Sequence, residues 1–388
     1  MMNKFTFIST IVFALYLLFT TGCTSKQKEP ETVKSEHESF YEDSIELAEA
    51  YEAQSKILNS IAAQLETEPV EANAQEDAAD DPAIWYNKTN PSGSLIFGSN
   101  KRGGLIASDL KGKNVKYYPL GSINNVDILY DYSLEGEQAD ILGCSNRTTQ
   151  AIDLFKIDAL GNLERIVGEG YLMETSKIDD IYGFCFGRNG ATNTDYVFIN
   201  GKNGLMQQFQ LIQKDKNINL ELIREVQFES QTEGMVVDYS NQKLYVGEEN
   251  KGIWMLDIDP QNSQKEFLLN SGKENANIKF DIEGLTIYNK GNLSLLIASS
   301  QGNFSYAVFD INAENNYLGS FKINGNETID GVEETDGIDI ISDSLSSEFP
   351  YGLLVAQDGF NYEYDSLAAQ NFKFCNVRDL LSTLDLNN

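Results

Sequence analysis

A unit of about 50 residues recurs six times along this chain, and that repeat limits the fold more than any other feature. Each copy holds an acidic or polar residue, a short apolar strand, a turn, a second apolar strand and a small or polar cluster. The first is "DDPAIW" with "LIFGSNKRGGL", followed by "NVDILY" with "DILGCSNR" and "DDIYGFCF" with "YVFINGKNG". Then come "TEGMVVDY" with "KLYVGEENKGIW", "DIEGLTIY" with "LLIASSQGNFSYAVF", and "TDGIDII" with "YGLLVAQDG". Asp81, Asp127, Tyr182, Glu233, Glu283 and Asp336 anchor the copies. The spacing is that of a four-stranded blade, so the chain is expected to be all-β: a six-bladed β-propeller over residues 57–388, closed so that no long sheet edge is exposed. A pair of large β-sandwiches would not require equal spacing.

Within each copy a short turn makes the two strands antiparallel, so the start of the first and the end of the second lie at one end. That rim should carry Asp80, Asp81, Asp127, Asp179, Asp180, Glu233, Glu248, Glu249, Asp281, Glu283, Asp330, Asp336 and Asp358. Lys101, Arg102, Arg147 and Lys202 join them. Converging carboxylates repel and raise one another's pKa unless cations intervene. Hard oxygen ligands in this number, with amide oxygens such as those of Asn124, Asn125 and Gln301, suit several calcium ions. "DGVEETDGID" lacks EF-hand spacing, so the site is expected to be assembled across blades. A solvated acidic rim is the alternative, and recurrence at equivalent positions favours the metal.

With 59 acidic and 29 basic residues the chain carries a formal charge of -30. Such a field argues against nucleic acid or an anionic lipid surface as main partner. The single histidine, His37, lies in a linker. That removes a Ser-His-Asp triad, a histidine phosphoenzyme and imidazole-ligated zinc or di-iron sites. Neither a P-loop nor the loop of a cysteine-dependent phosphatase is present. Carboxylate acid-base chemistry or metal-activated water remains. Cys144, Cys185 and Cys375 have no metal-type spacing and read as buried thiols; Trp85 and Trp254 read as blade-packing residues.

The start of the chain reads differently. A short basic opening, an apolar run over 5–19 and "FTTGC" form a secretory signal, residues 1–22, whose end resembles the bacterial lipobox. Cys23 is then the lipidated first residue of the mature chain. Residues 23–56 form a polar, partly helical tether. The chain is expected to be exported and lipid-anchored to a bacterial membrane, in the periplasm or at the cell surface, and to touch the membrane only through that anchor.

The segments "ETEPV", "DAADDPAIW", "NNVDI", "SNR", "YGF", "SQTEGM", "DIEGLTIY", "LIASSQGN", "TDGID", "VAQDG" and "AQNFKF" resemble, in order from about Glu66 to Phe374, those of the β-propeller phytases. These are calcium-dependent phosphatases with a six-bladed propeller fold. The resemblance implies hydrolysis of phosphomonoesters of myo-inositol hexakisphosphate, taken as its calcium complex by a monomer. Acids matching Asp80, Asp81, Glu233, Glu248, Asp281, Glu283, Asp330 and Asp336, with Gln301, would serve as calcium ligands or position water; Asn124 and Asp358 complete the expected set. Lys101, Arg147, Tyr182 and Lys202 match groups that hold phosphate oxygens. Arg102 stands where a lysine is common, and Asn203 and Phe360 where acids are common. Glu233 is the first choice to orient the attacking water, aided by Lys101, Arg147 and Tyr182. The alternative is a non-catalytic calcium-binding propeller lipoprotein that presents a surface to a partner.

Overall fold

The computed structural model describes residues 36–168, 170–173, 177–214, 217–363 and 366–386. The signal segment and Cys23 lie outside them. Six sheets follow one another along the chain, each beginning with an inner strand: Ala79–Trp85, Ile123–Leu134, Ile181–Asn189, Thr232–Asp238, Ile282–Lys290 and Ile338–Ile341. These six contact one another in sequence, and the last contacts the first, so the ring is closed. The fold is the six-bladed propeller read from the repeat.

Both faces of every blade are covered by its neighbours. This is why the strands read as near-continuous apolar runs rather than alternating ones. Six hydrophobic clusters fill the six gaps between consecutive blades. Cys144, Cys185 and Cys375 lie buried and unpaired in three of them. Trp85 packs between blades 1 and 2, and Trp254 meets Phe228 and Phe267.

The two chain ends join to close the ring. Leu65–Glu66 forms the outermost strand of blade 6, antiparallel to Asn371–Asn376, and Asn59–Ala62 adds a parallel strand to the edge of blade 5. A helix, Glu36–Ser55, precedes them. The compact body spans Ile45–Asn388, so the end of this helix belongs to it. Among the described residues no helix is long and apolar enough to cross a membrane.

One irregularity recurs and places the site. In blades 1 to 5 the pairing of the first two strands slips near the start of the inner strand: between Ala79 and Pro82, Ile123 and Val126, Ile181 and Phe184, Thr232 and Met235, and Ile282 and Leu285. A bulge of this kind bends the strand and re-aims its side chains. Asp80, Asn124, Tyr182, Glu233 and Glu283 occupy equivalent places in these bulges, and Asp336 sits just ahead of the sixth inner strand. The anchors read from sequence are therefore correct in four blades and displaced in two. Asp81 lies one residue past the equivalent place and Asp127 three past it. Both clamp neighbouring blades instead: Asp81 Oδ2 accepts from Val126 N at 3.0 Å and Asp127 Oδ2 from Phe186 N at 2.8 Å.

The glycines after Tyr182 and Glu233 answer to close approach. A Cβ on Gly183 would stand 2.0 Å from Glu233 O, and one on Gly234 would stand 2.0 Å from Glu283 O, each in the next blade. The penultimate residue of the second strand locks the same contact. Asn200 accepts from Gly183 N at 2.8 Å and donates to Glu233 O at 3.0 Å; Gln357 accepts from Asp336 N at 2.8 Å and donates to Ala79 O at 3.2 Å.

Candidate active site at the axial pocket

The residue directly after the second strand of each blade forms a second ring around the axis: Lys101, Arg147, Lys202, Glu249, Gln301 and Gly359. In the first five blades its N–H donates to the carbonyl of the residue two before the bulge, as Lys101 N does to Ala78 O at 2.7 Å and Gln301 N to Asp281 O at 2.9 Å. One backbone position thus carries cations on blades 1 to 3 and none on blades 4 to 6. The pocket has a cationic half and an acidic half.

Its cavity, about 490 Å³, is lined by Asp77, Lys101, Tyr182, Glu249, Asp281, Glu283, Gln301, Glu334, Asp336 and Phe360 among others. A second cavity of about 340 Å³ shares Asp77 and Lys101 with it and adds Arg102, Arg147, Thr148 and Asp180. Asp80, Glu233 and Asp336 bring carboxylate oxygens within 4.8 Å of one another, as do Glu233, Glu249 and Glu283. All five are buried. Neither oxygen of Asp80 receives a hydrogen bond, nor does Glu283 Oε2 or Glu249 Oε1.

Burial and mutual repulsion push Asp80, Glu233, Glu249 and Glu283 up. Glu233 rises to about 7, by burial first and then by the charge of Asp336; Glu249 rises to about 8, by burial and then by Glu233. Asp80 and Glu283 are raised well above the carboxylate range for the same reasons. Burial alone would lower Lys101, but Asp80, Asp336 and Asp77 outweigh it and raise it. Its Nζ stands 2.9 Å from Asp77, 3.3 Å from Asp336 and 3.5 Å from Asp80.

On the cationic half, Tyr182 lies between two positive groups. Arg147 covers its ring at 5.5 Å and Lys202 at 4.7 Å. The charge of Glu233 is the largest influence raising its hydroxyl, and Glu233 Oε1 accepts from Asn124 Nδ2 at 2.6 Å. Arg147 pairs with Asp180 at 2.8 Å, and Arg102 Nε donates to Asp77 O at 3.1 Å.

The structure thus brings together Asp80, Asn124, Glu233, Glu283, Asp336, Lys101, Arg147, Tyr182 and Lys202, with Asp281 and Gln301 on the pocket wall and Arg102 in the adjoining cavity. It does not bring Asp81, Glu248, Asp330 or Asp358 into the carboxylate cluster. Glu248 points away from the axis, accepting from Ser230 N at 2.7 Å and Trp254 Nε1 at 2.7 Å. Asp330 and Asp358 surround the fully buried Lys373 together with Glu66. Glu249 was read as a rim residue but not as a ligand, and it belongs to the cluster. Its signal was the shared place after the second strand that it has with Lys101, Arg147 and Lys202.

Fold and site together define a β-propeller whose axis sets three cations beside a cluster of buried carboxylates, several of whose oxygens receive no hydrogen bond. Residues 37–387 match the model of the phytase family, and this chain belongs to that family. It is 38% identical over 318 residues to the 3-phytase of Bacillus subtilis (strain 168), an alignment covering 81% of this chain and 82% of that one. Among solved structures it resembles regucalcin, a calcium-binding protein of Agrobacterium tumefaciens strain C58, with a TM-score of 0.51 at 10% identity over 82% of this chain and 97% of the other. That likeness speaks to the fold alone.

Proposed function

We propose that this chain is a calcium-dependent 3-phytase, removing phosphate from myo-inositol hexakisphosphate to leave lower inositol phosphates. The observation that carries the calcium dependence is the carboxylate cluster: five buried acids, several of whose oxygens have no donor, fit hard cations. Asp80, Glu233, Glu249, Glu283 and Asp336 would hold the ions, with Asp281 and Gln301 at the margin. Calcium bound there would offset the acidic charge that repels a polyanion and, as a Lewis acid, draw electron density from a phosphate ester.

The chain's own groups do the rest. Lys101, Arg147 and Lys202 bind phosphate oxygens and offset the charge that builds on them during displacement. Tyr182 keeps Arg147 and Lys202 aimed at one place. Fixed by Asn124, Glu233 accepts a hydrogen bond from the attacking water and directs it in line with the scissile bond. With water as the nucleophile, no covalent enzyme intermediate is needed.

The test is phosphate release from phytate by the purified protein. Release in calcium should fall at least about tenfold with chelator, and a simple aryl phosphate should be a poor substrate. No release at any calcium level, despite a calcium-dependent rise in thermal midpoint, would move the function to binding.

Export and lipid attachment at Cys23 form part of the same proposal, supported by the "FTTGC" boundary. Cys23→Ser should shift the protein from the detergent-requiring fraction to the aqueous one. Equal partition of variant and wild type would remove the anchor.

A further inference from the structure

Lys101 faces three carboxylates that differ in kind. Its side chain is 11% exposed, and its Nζ lies 2.9 Å from Asp77 Oδ1, 3.3 Å from Asp336 Oδ2 and 3.5 Å from Asp80 Oδ1. Asp80 and Asp336 are buried and belong, with Glu233, to one of the two carboxylate groups that could hold a cation. Asp77 belongs to neither group. Its side chain is 65% exposed, and with Lys101 it lines both cavities.

The backbone presets the Asp77 carboxylate. Arg102 Nε donates to Asp77 O at 3.1 Å. Lys101 N donates to Ala78 O at 2.7 Å, and Ala78 N donates to Gln370 Oε1 at 2.7 Å. Ala78 is wholly buried. The segment ahead of the first inner strand is thus held by Lys101 and its neighbour Arg102, and Asp77 stays opposite the Lys101 side chain although it is open to water.

An ammonium and a calcium ion compete for Asp80 and Asp336. Calcium takes carboxylate oxygens at about 2.3–2.6 Å, and a divalent charge on oxygens that lie within 3.5 Å of Nζ repels the ammonium. Of the three partners, Asp77 alone stands outside the cation groups. We propose that Asp77 is a positioning residue for Lys101: it takes over the ammonium when a cation occupies Asp80 and Asp336, and keeps the lysine at the wall between the two cavities, where a phosphate oxygen meets it. This rests on reading the pocket as the cation site of a phytase.

A double-mutant cycle on calcium affinity tests it, read by calorimetry on the full chain at pH 8 without substrate. Without Asp77, Lys101 stays on Asp80 and Asp336 and competes with the ion. Asp77→Asn should therefore raise the calcium dissociation constant about three- to tenfold, the scale of one lost bond to a charged group. Lys101→Met removes the competitor and should lower the constant. Asp77→Asn added to Lys101→Met should change it by less than about twofold, the effect of one exposed charge acting alone. The thermal midpoint of Asp77→Asn in chelator should stay within about 2 °C of wild type, because Asp80 and Asp336 still hold the ammonium. An equal loss of affinity with and without Lys101 overturns the proposal and makes Asp77 a ligand in its own right. So does an unchanged affinity in Asp77→Asn, a weakened one in Lys101→Met, or a larger fall in the chelator midpoint. A wild-type chain that binds calcium but releases no phosphate removes the phytase reading alone, since the cycle still decides the role of Asp77; one that binds no calcium overturns both.

Discussion

Glu233→Gln should lower phosphate release from phytate by about 10²- to 10⁴-fold, the range for loss of a positioned acid-base group, and should at the same time make the calcium-free protein more stable at pH 8. The first effect follows from its place at the centre of the site, where Asn124 fixes the carboxylate and an amide cannot accept a proton. The second follows from its burial. Folded, Glu233 is raised to about 7 from an ordinary 4.5, so its stabilising contribution is full below 4.5 and lost as pH rises through 7. Gln loses no proton. Thermal unfolding in chelator should therefore show a higher midpoint for the variant at pH 8 and a small difference at pH 5. Activity within about fivefold of wild type would remove Glu233 from the reaction. A lower midpoint at both pH values would make its carboxylate a structural partner of Asn124.

Lys373→Met should cost about 3–5 kcal/mol of stability, the penalty for leaving buried charges unpaired, and should do so with or without calcium. The Lys373 side chain is 0% exposed. Its Nζ lies 2.5 Å from Glu66 Oε2 and 3.1 Å from Asp358 Oδ2, bonds Asp330, and reaches Asn361 Oδ1 at 3.2 Å. Asp358 already stands at about 7, raised by burial and held down by this lysine. Without the lysine three acids would face one another at the seam where the two chain ends meet. Denaturant titration in calcium and in chelator decides the matter. If calcium abolishes the loss, an ion can take the place of the ammonium, and Asp330 and Asp358 are ligands after all.

The blade count was legible because every sheet is covered on both faces, which writes the same apolar pattern into each repeat. The charge of the site was legible for a related reason: equivalent positions carry equivalent roles. What stayed hidden lies at the scale of one residue. "DDP" offers two aspartates, and only the bulge decides that Asp80 faces the axis while Asp81 clamps blade 2. "GEEN" offers two glutamates, and the strand end at Glu248 decides that Glu249 turns inward. Strand register is a tertiary outcome, since a one-residue slip exchanges the faces. Lys373 was hidden by distance along the chain, its partners Glu66 and Asp330 having no pattern that links them to it.

The seam at blade 6 also imposes an order in time. The strand at Leu65–Glu66 is synthesised early, and Asn371, which bonds Glu66, follows 305 residues later. At about 5–20 residues per second that wait is on the order of 15–60 s. Throughout it an unpaired strand and the open side of a ring are available to other chains. Contacts of such long sequence separation form slowly. The vulnerable state of this protein is therefore the five-bladed nascent chain, and a chaperone that shields its first strand should raise the yield of folded protein more than any substitution in the finished ring.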